Sequence, residues 1–530
     1  MDKSNQKSKL LPILDIENFR TNNLEGLCIL DHSIEGKSKI DPPHKHNFFL
    51  FFLIEKGSGY QKALSTMKKM NRFSLLLFCL FVFCHVSCQQ DRDLLEIEDP
   101  IEQVSSQYGT PFQNVPETED IIMYEVNPLV FSSQGNLNGV TERLDEIKAL
   151  GVNVVWLMPI HPIGEERGIG SPYSIKDFYG INPAYGTLED LRKLVQEAHS
   201  RDMAVIMDLV ANHTSWDNPW ITKNRSWYEQ TEQGEIKFPQ NWTDVAQLDY
   251  TNPSLREEMK KVMEYWVLEA NIDGYRCDYA DGVPVDFWTE AISSLRSIPD
   301  REIIMFAEGA EKSLFNADFD MIFGWNFYHR LKNVFTEERS ANGIFQAHNE
   351  DYSNLREGAH FLRFTTNHDD NGWDATPLEI FGGSKGALTA YATTVFMGGI
   401  PMMYNGQEID VPDQIPFFFP KTYTIDWSIN PDVFEKYSEI NRLRNQNPAL
   451  RKGELKRLSE SEDVISFTRT LGEDVFFLVF NLRDRNSNFL IPEEISQMDW
   501  TTIYGDDGSF GNEALELSGF EFKIFKSSLD

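Results

Sequence analysis

The chain has 530 residues, of which 41% are hydrophobic and 13% aromatic, too much apolar mass for a disordered chain and enough for large packed cores. Its formal net charge of −33 gives a surface that repels phosphate backbones, which excludes a general nucleic-acid binder. Length alone admits two or three domains.

In chain order, the first recognisable element starts at Met67. Lys68, Lys69 and Arg72 precede an apolar run from Phe73 to Phe83, and small residues lead to a cysteine at Ser87-Cys88. This is the plan of a secretory signal over 67–88, and the apolar run is short for a membrane span. The Ser87-Cys88 junction resembles the end of a bacterial lipobox, with His85 where an aliphatic residue is usual. That resemblance implies a lipidated Cys88, export as an outer-membrane lipoprotein facing the periplasm or cell surface, and a polar, acidic tether over 89–117. The 66 residues ahead of the signal read as a mis-joined leader. Within them "PPHKHNFFLFFLIEKGSGY" resembles the opening of the cupin-like sensor domain of AraC-type regulators, and His44 and His46 lack the further ligands of a metal site. Of five cysteines, only Cys277 lies beyond residue 88. It has no partner for an intramolecular disulfide, and packing is its expected role.

From residue 118 the pattern becomes regular. "IIMYEVNPLVF" reads as a strand, and "TERLDEIKALG" as an amphipathic helix closed by Gly151. "VNVVWLMPI" is the second strand. The helix "TLEDLRKLVQEAHSRDM" follows, with Thr187 as N-cap and Asp190 three residues on. "AVIMDLV", "IDGYRCD", "REIIMFAE", "DFDMIFGW", "AHFLRFTTNHD" and "IPMMYNGQE" are the third to eighth strands, with helical segments between most of them. Eight near-continuous apolar strands alternating with helices predict a (β/α)8 TIM barrel over 118–446. A long connection after strand three, about 213–252, predicts a small inserted subdomain. Beyond 447 the short strands "VISFTRTL", "DVFFLVFNLR", "WTTIYG" and "GFEFKIFK" predict a C-terminal antiparallel β-sandwich over 447–530.

Chemistry in such barrels sits at the carboxyl ends of the strands. Strand four ends in Arg276 and Asp278, whose spacing of two puts both on one face. Charge pairing with Arg276 is expected to keep Asp278 ionised and lower its pKa. Strand five ends in a lone carboxylate, Glu308. Strand seven offers His368 and Asp369, and strand three Asp208, Asn212 and His213. Four strand ends thus bring acids and imidazoles to one mouth.

The segments "DLVANH", "GYRCD", "FAE" and "TTNHD", in this order and on these strands, resemble the four signature regions of the α-amylase family of glycoside hydrolases. "GSPYSIKDFYGINPAYGT" and "GIPMMYNGQEI" resemble its flanking regions. The resemblance implies a retaining glycosidase acting on α-1,4-linked glucans or maltooligosaccharides, with Asp278 as nucleophile, Glu308 as general acid and base, and Asp369 holding the sugar's 2- and 3-hydroxyls. It further implies that His213 and His368 hydrogen-bond the same sugar and that Tyr173 stacks under it, while Arg276 supports the nucleophile. Transglycosylation, a cyclomaltodextrinase or neopullulanase-like activity, and an inactive glycan-binding protein are the alternatives. The family's Lys-His pair beyond the nucleophile is replaced by Asp281 and Gly282. Asn212 matches one family calcium ligand, and a single oxygen is not a site, so no cofactor or metal is assigned and calcium stays an open possibility. Trp216, Trp220 and Phe417 to Phe419 are candidate sugar platforms around the mouth.

Overall fold

The computed structural model describes residues 107–506 and 514–528. The leader, the signal and Cys88 lie outside them. Eight parallel strands close a barrel: β1 (Met123–Val126), β2 (Val154–Leu157), β3 (Ala204–Leu209), β4 (Gly274–Cys277), β5 (Ile304–Ala307), β6 (Met321–Phe323), β7 (His360–Arg363) and β8 (Ile400–Tyr404). Each strand pairs with its neighbours in sequence, and β8 closes on β1. The strands are buried on both faces, which is why they read as continuous apolar runs.

Alternation along each strand sorts the side chains into two layers. Met123, Val154, Trp156, Ile206, Ile304, Phe306, Phe323, Leu362 and Met402 fill the barrel interior. Tyr124, Val155, Met207, Tyr275 and Cys277 face the surrounding helices. Cys277 is buried and free, consistent with a packing role.

The helix Leu188–His199 starts at a complete capping box, in which Thr187 and Asp190 satisfy each other's backbone N–H. Gly151, at φ +83°, takes the left-handed turn that follows the helix Leu144–Ala149. The first predicted strand is shorter than its apolar run. Asn127 accepts from the Leu129 N–H, and Pro128 sits at the first helical position, so "NPLVF" turns into a short helix instead. The expected tether also ends early. The Tyr108 N–H donates to the Leu268 carbonyl, and Phe112 is buried and stacks on His199 at 4.4 Å. From Tyr108 onward, then, the chain already belongs to the barrel.

The insert after β3 carries a two-stranded antiparallel sheet, His213–Ser215 with Val245–Gln247. The C-terminal domain has a five-stranded antiparallel sheet: in spatial order Glu454–Arg457, Val464–Leu471, Asp474–Asn481, Phe522–Ser528 and Thr501–Tyr504. A two-stranded sheet, Ser487–Leu490 with Ala514–Leu517, covers its outer face. Phe477, Val479, Phe489, Leu515 and Phe525 form the apolar layer between them, so the sandwich stands. The other face packs on the barrel helices. There Phe335 stacks on Phe520, and Thr389 donates to the Phe520 carbonyl at 2.6 Å.

Candidate active site

The interior positions at the carboxyl ends of β1, β3, β4 and β5 are not apolar. They carry Glu125, Asp208, Arg276, Asp278 and Glu308. The Arg276 guanidinium is buried and central. One terminal nitrogen, Nη1, donates to both oxygens of Asp208 at 2.8 and 2.9 Å and to Asp278 Oδ1 at 3.0 Å. The other, Nη2, pairs with Glu308 Oε2 at 2.8 Å. Glu308 Oε2 also accepts from the Tyr279 N–H at 2.8 Å, which leaves Oε1 outside both bonds. Asp278 and Glu308 are therefore held by a single planar, permanently charged group.

Burial opens progressively toward the mouth. Asp278 has 11% of its side chain exposed, Glu308 22% and Asp369 48%. Asp369 is not on β7 itself. Strand β7 ends at Arg363, and His368 and Asp369 open the short helix His368–Trp373, capped by Asn367.

His368 is tied from both sides. Nδ1 donates to Glu125 Oε1 at 2.5 Å, and Nε2 lies 2.8 Å from the Tyr173 hydroxyl. That hydroxyl lies 3.2 Å from Asp208 Oδ2, which also accepts from Trp156 Nε1. Burial works against charge on His368, but Asp369 and Glu125 outweigh it and lift the imidazole pKa to about 9. At neutral pH both ring nitrogens donate. A continuous chain of bonds then links Glu125, His368, Tyr173, Asp208 and Arg276 to the Asp278 and Glu308 carboxyls, with His368 and Arg276 as the donors to the acids on either side. Tyr173 stacks on His368, with centroids 5.3 Å apart. His213, on the first strand of the insert, is buried, and burial lowers its pKa to about 4, so it is neutral.

One electrostatic expectation is overturned. Arg276 does pull the Asp278 pKa down, but burial together with Glu308, Asp208 and Asp369 pushes it well above the ordinary carboxylate range. Asp208, under the same opposing influences, rises to about 6. One guanidinium shared among three carboxyls cannot offset their desolvation and mutual repulsion.

Calcium does not fit. The Asn212 side-chain oxygen accepts from Gln247 Nε2 at 3.1 Å. The same amide donates to the Asn212 carbonyl at 3.1 Å and the Leu248 carbonyl at 3.2 Å. An amide nitrogen thus occupies the place among oxygens that a cation would take. A Cβ on Gly282 would come within 2.6 Å of Asn212 Oδ1 and 2.5 Å of the Tyr279 ring, and Asp281 instead receives the Ala310 N–H at 2.7 Å. Among the described residues no group of three or more His, Cys, Asp or Glu could hold a metal.

The platform candidates divide. Phe417 meets His368 edge-on at 5.1 Å and so reaches the mouth. Trp216 has Arg167 over its ring at 3.9 Å, and Phe419 packs on Tyr185. Trp220 stacks on Phe178 and meets Trp227. Sequence reasoning missed Glu125, whose signal was a lone acid inside the apolar run of β1. It also missed Gln247, Tyr279, Trp242 and Trp373, the last 69% exposed and edge-on to both Phe417 and Phe418; no local pattern marks these four.

A closed parallel barrel with paired carboxyls at its carboxyl end, an insert after β3 and a C-terminal β-domain defines a class of carbohydrate-active barrel enzymes. A family model described as the alpha-amylase catalytic domain matches residues 106–247 and 224–429. Alpha-amylase 3 of Dictyoglomus thermophilum is 27% identical over 461 residues, covering 73% of this chain and 89% of that protein. The crystal structure of a noncanonic maltogenic alpha-amylase from Thermotoga neapolitana superposes with a TM-score of 0.70 at 28% identity, over 78% of this chain and all of the other. An alpha-amylase from Lactobacillus plantarum gives 0.68 at 26%, over 77% and 99%. The chain belongs to the alpha-amylase family of glycoside hydrolases.

Proposed function

We propose that the protein hydrolyses α-1,4-glucosidic bonds in starch-like glucans or maltooligosaccharides with retention at the anomeric carbon. The observation that carries this is the Arg276 guanidinium, which fixes Asp278 and Glu308 together at the mouth. Asp278, in its ionised form, attacks the anomeric carbon as Glu308 protonates the departing glycosidic oxygen. Water then displaces Asp278, giving its proton to Glu308. Asp369, exposed beside His368, meets the sugar hydroxyls. His368, His213 and Tyr173 bind the same ring. Glu125 and Asp208 are positioning residues, acting through His368 and Arg276. Relatives named as alpha-amylases and a maltogenic amylase support the substrate class.

Replacement tests the assignment. Asp278→Asn should abolish turnover, since an amide does not attack the anomeric carbon. Glu308→Gln should be very slow on maltooligosaccharides yet far less impaired on a glycosyl fluoride, whose leaving group needs little acid help. Proton NMR of the first product should show the α-anomer. A β-anomer, or an active Asp278→Asn, sinks the assignment.

We further propose that the chain is exported and anchored through lipid on Cys88. The support is the sequence of 67–88, which lies outside the described residues.

A further inference from the structure

Asp281 stands three residues beyond the nucleophile, where the family carries lysine, and its carboxylate is bonded to the backbone that follows the acid. Oδ2 accepts from the Ala310 N–H at 2.7 Å and Oδ1 from the Glu311 N–H at 3.4 Å. A Cβ on Gly309 would come within 2.8 Å of Asp281 Oδ1, so the carboxylate lies against the residue next to Glu308. The same two segments are laced further in. The Glu308 N–H donates to the Cys277 carbonyl at 2.9 Å, the Ala280 N–H to the Glu308 carbonyl at 2.8 Å, and the Tyr279 N–H to Glu308 Oε2 at 2.8 Å. The Asp281 bonds extend this lacing past the acid. Strand β5 has ended at Ala307, and the next helical turn, Lys312–Ala317, has not begun. The stretch 308–311 therefore has no regular structure of its own to hold it, and its fixed points come from the segment after the nucleophile.

We propose that Asp281 is a positioning residue for proton transfer: it fixes the backbone after Glu308 so that Glu308 meets the glycosidic oxygen in one orientation. This rests on the reading of Glu308 as the acid. Arg276 and the Tyr279 N–H both hold Oε2, and a carboxyl held at one oxygen still pivots about it unless its own backbone is fixed. Asp281 fixes that backbone from the far side, through bonds in which the acceptor is charged and which are roughly twice as strong as neutral ones. A misplacement of about 1 Å in a reacting group costs on the order of a hundredfold in rate. The nucleophile has a separate hold on Arg276 Nη1, so Asp281 bears on protonation of the leaving group and not on attack by Asp278.

Two substrates separate positioning of the acid from support of the fold. kcat/KM covers only the steps through the first displacement, in which maltotetraose releases a sugar that needs a proton and α-maltosyl fluoride releases fluoride, which needs little. Asp281→Ala should lower kcat/KM on the order of thirtyfold for maltotetraose and no more than about threefold for the fluoride. Asp281 is exposed, so its removal opens no cavity. Asp281→Asn keeps an acceptor for the Ala310 N–H and should recover most of the loss. Gly309→Ala, whose methyl would displace the carboxylate, should reproduce the split, and it tests the same contact if Asp281→Ala does not fold. Equal losses on both substrates would show that Asp281 only supports the fold, and no loss on either would show that its bonds fix nothing; both results overturn the positioning role. Glu308→Gln, measured alongside, should show a larger split than Asp281→Ala. If Glu308→Gln shows the split and Asp281→Ala does not, the positioning role alone falls; if Glu308→Gln shows none, the assignment of Glu308 as the acid falls with it.

Discussion

Arg276 divides its two terminal nitrogens among three carboxyls, and the consequence reaches past those three. Asp208, bonded to it, also contacts Tyr173, which contacts His368, which is bonded to Glu125. Glu125 is the innermost link and is fully buried. Its charge, with that of Asp369, holds His368 protonated with a pKa of about 9 against burial. A histidine raised from 6.5 to about 9 on folding contributes stability that is complete below pH 6.5 and is lost as pH rises to 9, because only the native state keeps the proton in that window. The unliganded protein should lose a few kcal/mol of stability between pH 6.5 and 9. Glu125→Gln removes one of the two anions, so His368 should titrate lower and that slope should shrink. Chemical denaturation at pH 6, 7.5 and 9 on both proteins checks this; an unchanged slope in Glu125→Gln would count against the pairing.

Among the bonds between the insert and the barrel, one side-chain amide reaches the loop that follows β3. Gln247 stands on the second insert strand, opposite His213, and reaches three oxygens, two on Asn212 just beyond β3 and the carbonyl of Leu248 next to it. Removing this half-buried donor leaves the oxygens of the buried Asn212 without it, which costs on the order of 1–3 kcal/mol. Gln247→Glu goes further, setting an anion against three oxygens and so assembling the hard-oxygen cluster that calcium prefers. Its melting temperature should drop by several degrees and recover in part with millimolar calcium. Gln247→Ala should drop without recovery, and the wild type should be indifferent to a chelator. Thermal melts with EDTA and with calcium decide; a wild type destabilised by EDTA would refute the amide's role. Gly282 belongs to the same arrangement. The absence of a side chain there lets Asn212 and Tyr279 approach each other, so the residue that departs from the family pattern and the amide that replaces the cation are two sides of one local packing solution.

At the scale of the whole molecule, the barrel and the C-terminal domain form one body. Arg483, buried on the sandwich, donates to the carbonyls of Val334 and Arg339 that follow β6, and Phe520 lies against Phe335. The barrel itself is engaged from Tyr108 on. A chain beginning at Asp91 should therefore keep the melting temperature and activity of the full-length protein. In its native host it should appear in the soluble fraction, as should Cys88→Ala. The wild type should take up a palmitate analogue, since stable anchoring takes more than one acyl chain. An insoluble Asp91 chain beside an active full-length one would make the leader a real domain; an unlabelled wild type would remove the lipid anchor.

The barrel strands were legible from sequence because parallel strands are buried on both faces and leave an uninterrupted apolar trace, broken by acids only where the barrel opens. The same breaks pointed to Arg276, Asp278 and Glu308, since a charge at the end of such a run has few structural uses. Local chemistry shortened what periodicity overestimated, as where Asn127 and Pro128 turn the end of the first run into a helix. Gln247, Tyr279 and Trp242 could not be read this way. Gln247 ends a three-residue strand and the other two lie outside strands and helices, and the meaning of each comes from partners 29 to 39 residues away. The sign of the Asp278 shift was also hidden. Sequence displays the nearest opposite charge, two residues back, whereas three further carboxyls arrive from other strands and loops. Pattern along the chain determined the barrel and the identity of its charged mouth. Only folding decided how many carboxyls one guanidinium must share, because distance in a closed barrel is set by the ring of strands and not by separation along the chain.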